Sequence, residues 1–128
     1  MGKSQYLMDT NAVIDYLGNN IPAMGMGFLN EVMDTKPQVS VITKIEVLGF
    51  NAPATHYRLL TQFMSDVIVL NLTDKIVETC IDIRKKCHIK LPDAIIAATA
   101  LAYDLVLITR NISDFKNIPG LRFINPHG

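Results

Sequence analysis

Short β-branched, apolar runs alternate with segments of helical period along this 128-residue chain, and that alternation leaves few folds open. Residues 6–8 (YLM), 38–42 (QVSVI), 67–72 (VIVLNL) and 105–108 (LVLI) suit buried strands, and 122–124 (RFI) suits a short fifth. After the first run, Ala12, Val13, Tyr16 and Leu17 recur at helical spacing, with Asn11 as a suitable N-cap. A second helix starts near Pro22, carries the stripe Phe28, Leu29, Val32 and Met33, and is broken at Lys36-Pro37. The Met-Gly repeat at 24–27 blurs where it begins. Further helices are predicted over 43–50 and 54–64, and from Thr73 through Ile76, Cys80 and Ile83 to the basic run Arg84-Lys85-Lys86. Leu91-Pro92-Asp93 opens another, whose residues 94–102 are apolar on every side, so that helix belongs at the centre. Residues 109–120 read as a polar connection. The pattern predicts a three-layer α/β/α sandwich with a central, mainly parallel sheet, in a single domain spanning 1–128.

Composition agrees and excludes some classes. Hydrophobic residues make up 49% of the chain and the mean hydropathy is +0.25, as expected for a sheet covered on both faces. No apolar run approaches the ~20 residues that cross a bilayer, and the N-terminus lacks the basic start and long apolar core of a signal peptide. Cys80 and Cys87 sit two helical turns apart, which suits neither a disulfide nor a zinc site and fits free thiols in a reducing compartment. A cytoplasmic protein without a membrane partner is expected. The formal net charge is zero, so a nucleic-acid surface must come from local clustering of cations. His56, His88 and His127 show no ligand spacing and read as surface or interface residues.

Four acids share one type of position. Asp9 closes the first strand, Glu46 lies in the first turn of the helix after the second, Asp93 opens the apolar helix, and Asp114 follows the fourth strand. In a parallel sheet, strand ends and the helix starts that follow them lie on one edge, so Asp9, Glu46 and Asp114 can converge there. Asp93 joins them if its helix also starts at that edge. Carboxylates crowded together raise one another's pKa values unless a cation lies between them. An all-oxygen set without Cys or His selects Mg2+ or Mn2+, and such a cation suits hydrolysis of a phosphodiester. Each acid also has a plainer explanation. Thr43-Lys44-Ile45-Glu46 has the form of a capping box. Asp93 suits the dipole of a helix start, and Asp114 suits an ordinary loop. Asp9 is the exception, because an acid ending a buried strand needs a partner. Asp15, Asp34, Asp66, Asp74, Asp82 and Asp104 read as solvated faces or caps. Lys44 and Arg110 stand beside the acids, where they suit a polyanionic backbone, whereas Arg84-Lys85-Lys86 reads first as a solvated helix end.

The stretches MDTNAVIDYL, SVITKIEVLGF, LPDAIIAATAL and LITRNISDFKNIPGLRFINP resemble the successive motifs of PIN-domain ribonucleases, most of all the VapC-type toxins of toxin–antitoxin pairs. The resemblance runs from about Tyr6 to Pro126. It implies a Mg2+- or Mn2+-dependent endoribonuclease, the toxin of a type II pair, with Asp9, Glu46, Asp93 and Asp114 as metal-binding acids. It also implies supporting roles for Thr10, Asn11, Thr43, Thr109 and Asn111. The implied partners are an RNA substrate, a cognate antitoxin and a second copy of the chain, with helices 22–34 and 54–66 as contact surfaces if they are not core. Two other classes stay open: an acidic-pocket phosphotransfer protein, and a non-catalytic module that binds RNA or protein. Against the first, the third strand ends Val69-Leu70-Asn71-Leu72 with no phosphoacceptor, and Asn11 stands where a phosphatase wants a second Asp.

Overall fold

A computed structural model describes residues 5–128; the first four residues of the expected 1–128 domain lie outside the described residues. The elements run β1 (Tyr6–Met8), α1 (Thr10–Leu17), α2 (Ala23–Asp34), β2 (Gln38–Ser40), α3 (Val41–Leu48) and α4 (Ala54–Asp66). They continue with β3 (Ile68–Leu70), α5 (Asp74–Lys86), α6 (Leu91–Ala102), β4 (Val106–Ile108), α7 (Ile112–Phe115) and β5 (Phe123–Ile124). The five strands form one sheet in the order β3-β2-β1-β4-β5, and every pairing is parallel. The three-layer α/β/α architecture expected from the alternation is the one observed. No helix among the described residues is long and apolar enough to cross a membrane.

The period-2 geometry of the strands divides the core into two layers. Leu7 and Leu107 pack on one face with Ile76, Cys80 and Ile83 of α5 and the buried run Ala94–Ala100 of α6. Met8, Val39 and Ile108 face the other way, against Val13, Leu29, Val47 and Phe63. The hydroxyl of Thr99, buried in α6, donates to the Ile95 carbonyl at 2.7 Å and so costs the core little. Cys80 is buried and Cys87 half-buried, both as free thiols, and burial pushes the Cys80 thiol up.

Several boundaries differ from those the sequence predicts, each for a local reason. Asp9, not Asn11, caps α1, because its carboxylate accepts the Ala12 N–H at 2.8 Å. Ser40 ends β2 and caps α3 by accepting the Ile42 N–H at 3.1 Å, so Val41 and Ile42 are helix rather than strand. The helix therefore starts before Thr43, and the predicted capping box does not form there. Part of the 109–120 connection folds as α7. Pro22 stands at the N-cap of α2, and Gly25 explains the small residues that follow it. A Cβ on Gly25 would lie 1.9 Å from the Pro126 carbonyl oxygen, so the chain's C-terminal segment crosses α2 where only glycine fits. Leu29 and Val32 of α2 are core, which removes that stripe from the candidate contact surfaces. Helix α4 is mixed: Leu60, Phe63 and Met64 are buried, while Tyr57 and Leu59 are exposed.

Candidate active site

The strand order reverses direction at β1, with β2 and β3 on one side and β4 on the other, so the carboxyl ends of β1 and β4 flank a topological switch point. In open parallel sheets that crevice is where ligands bind. Asp9 sits at the end of β1 and Thr109 at the end of β4. The Asp9 N–H still pairs with the Ile108 carbonyl at 3.1 Å, which fixes the carboxylate directly above the junction. Asp9 is only 3% exposed, and its charge is met by the Thr109 hydroxyl and the Ala12 N–H. Burial pushes its pKa up to about 6, and the nearby Asp93 and Asp15 add to the rise. Thr109 is fully buried and in turn accepts the Asn111 N–H at 3.0 Å.

Glu46 reaches the same edge from α3. Its Oε1 accepts the Thr10 hydroxyl proton at 2.5 Å, and Thr10 Oγ1 also lies 3.2 Å from the hydroxyl of buried Thr43. The glutamate that capping-box spacing assigns to a backbone N–H is held instead by a side chain from the neighbouring strand–helix turn. Asp93 is half-buried in the first turn of α6. Burial raises its pKa, and Asp114 and Glu46 raise it further, while Lys90 lowers it. Asp93 thus feels Asp9, Glu46 and Asp114 at once. Asp114 is exposed in α7, and it lines a cleft of about 470 Å3 together with Asp93. Asn11 is half-buried in the first turn of α1, and Lys44 is exposed on α3. Among the described residues, no three acids, histidines or cysteines stand close enough together to hold a metal ion by themselves.

Asp15 corrects an expectation. It is not a solvated acid: it is 6% exposed, with Arg110 Nη1 at 3.1 Å and His127 Nε2 at 3.3 Å from its Oδ2. Arg110 is therefore already paired, and His127 ties the C-terminal segment to α1. One sequence signal pointed this way: Asp15 follows Ala12 by three residues, on the buried stripe of an amphipathic helix. The remaining acids read as solvated, Asp34, Asp66, Asp74, Asp82 and Asp104, are exposed.

The PIN domain family matches residues 6–121, and the chain belongs to that family. The resemblance to VapC-type chains stands beside it. The chain is 34% identical to one in a toxin–antitoxin complex from Klebsiella pneumoniae, covering 94% of this chain and 97% of that one, with a TM-score of 0.75. It is 25% identical to a chain of DNA-bound VapBC from Salmonella typhimurium, covering 95% and 98%, with a TM-score of 0.81. VapBC2 from Rickettsia felis, bound to a promoter DNA fragment, shares the fold at 22% identity over 94% and 97%, with a TM-score of 0.78. No curated protein matches the chain.

Proposed function

We propose that this chain is a Mg2+- or Mn2+-dependent endoribonuclease, one cytoplasmic PIN domain spanning 1–128, and the toxin of a type II toxin–antitoxin pair. The observation that carries this reading is Asp9: a buried acid at the switch point, met by a hydroxyl and an amide, with two further acids, Glu46 and Asp114, within electrostatic reach of its neighbour Asp93. The donor set Asp9, Glu46, Asp93 and Asp114 is all oxygen and fits a hard cation. Because no three of them close a site alone, water would complete the shell, as Mg2+ prefers. When bound, the cation supplies a Lewis acid and an activated water for phosphodiester hydrolysis. The protein's own part is placement. Thr109 and the Ala12 N–H fix Asp9, Thr10 steers Glu46 while Thr43 backs it, and Asn111 anchors Thr109. Asn11 lies beside Asp9 in the same turn. Lys44, exposed on α3, and the exposed part of Arg110 would meet the RNA backbone.

The test is cleavage of structured RNA with and without Mg2+ or Mn2+, repeated with Asp9→Asn and Asp93→Asn. Cleavage is expected only with metal and should fall at least ~100-fold in either variant, the scale of losing one preorganised charge-stabilising group. A second reading, a non-catalytic PIN module, draws on the finding that no three acids, histidines or cysteines among the described residues hold a metal ion by themselves; RNA binding without metal-dependent cleavage in the wild type would favour that instead. An antitoxin and a second copy of the chain are the proposed protein partners. Exposed apolar side chains support them, on one side Phe50, Tyr57 and Leu59 and on the other Leu72, Ile81 and Leu91.

A further inference from the structure

We infer that Arg84 and Lys90 form a subsite for a backbone phosphate of the RNA strand, in the cleft they share with the proposed metal-binding acids Asp93 and Asp114. The inference rests on the nuclease reading and deepens it. The cleft of about 470 Å3 is lined by Arg84, His88, Ile89, Lys90, Asp93 and Asp114, so cations and acids share one opening. Successive residues of a helix point about 100° apart, and the run Arg84-Lys85-Lys86 at the end of α5 is divided accordingly. Arg84 lines the acid cleft and also, with Lys85, an apolar groove beside Leu72 and Ile81; Lys86 lines a separate hollow beside Cys87 and Ile118. The basic run is thus not one solvated patch, because only its first member faces the acids.

Lys90 precedes α6 at the N-cap, where its side chain makes no capping bond. Its charge reaches Asp93, whose pKa it lowers. Yet among the described residues neither Arg84 nor Lys90 forms an ion pair. Both are exposed. Two unpaired cations beside two unpaired acids suit a ligand that is anionic at one point and metal-bridged at the next. A polynucleotide strand has that repeat: the acids take the scissile phosphate through the cation, and the cations take a neighbouring phosphate directly. Without them, the acid wall would repel the strand before it docked.

Binding of a short labelled single-stranded RNA, read by fluorescence anisotropy in EDTA over a salt series, tests this without cleavage. Arg84→Gln and Lys90→Gln should each weaken binding about 3- to 10-fold at low salt and lower the log–log salt slope by about 0.7 for each cation removed. In cleavage assays KM should rise by the same factor with kcat unchanged. Lys86→Gln, equally basic and close in sequence, should change neither quantity. A double variant, Arg84→Gln with Lys90→Gln, whose salt slope equals that of the wild type would overturn the subsite, as would an equal loss in Lys86→Gln. Metal-dependent cleavage with an unaltered slope rejects the subsite and keeps the nuclease. A responsive slope in a protein that cleaves no RNA rejects the nuclease and keeps the subsite.

Discussion

Asp9 and Asp15 lie six residues apart, one capping α1 and the other in its last turn, and both are buried, yet their surroundings differ in kind. Asp15 meets a guanidinium and an imidazole brought in from the far end of the chain. Asp9 meets a hydroxyl and one backbone N–H, with Asp93 and Asp15 adding negative charge nearby. Burying a carboxylate is costly unless a charge or several hydrogen bonds offset it. Asp15 is offset within the fold and ties two of its segments together. Asp9 is not, and its pKa is driven up to about 6. Two buried acids are thus separated into a tie and a proposed metal ligand by what faces them.

That contrast makes opposite predictions for two similar substitutions. Above its raised pKa, ionised Asp9 burdens the metal-free protein. Its folded pKa exceeds the ordinary aspartate value of 3.8, so the folded state holds this proton more tightly than the unfolded chain does. The resulting stabilisation is complete below pH 3.8 and is lost as pH rises through about 6. Asp9→Asn keeps a good cap for α1 and removes the charge. In EDTA at pH 7 it should raise stability by up to about 3 kcal/mol and flatten the pH dependence between 4 and 6, checked by denaturant melts across pH. Added Mg2+ should stabilise the wild type and not the variant. A variant less stable than wild type in EDTA would erase the contrast.

Arg110→Ala should act in the other direction, by about 2 kcal/mol. That is below the 3–5 kcal/mol of breaking a fully buried pair, because the guanidinium side chain is 47% exposed and His127 remains. An unchanged melting curve would mean that Asp15 is not held by charge. The smallest change calibrates the cap. Ser40 at the β2–α3 turn does for α3 what Asp9 does for α1, without a charge. Ser40→Ala should cost about 1 kcal/mol, and a loss much larger than that would show that these turns carry more than capping.

Much of the fold was legible in the sequence because strand and helix periods are local. The five apolar runs and the all-round apolar 94–102 segment stand where the sheet and its central helix stand. The capping sites were less legible. Asp9, Thr10 and Asn11 are all capping types, as are Ser40 and Thr43, and the sequence ranks them nearly equally. The structure chose the residue at which the sheet's pairing stops: Asp9 still bonds to Ile108, and Ser40 still pairs with Leu70.

The amino-acid order by itself determined a parallel α/β layering and set an acid after each of two strands, one at a helix start and one a turn into the helix after β2, since those depend on neighbours a few residues away. Only the tertiary structure decided which carboxylate is neutralised and which is not. Arg110 and His127 lie 95 and 112 residues from Asp15, and no local period records a contact made across that distance.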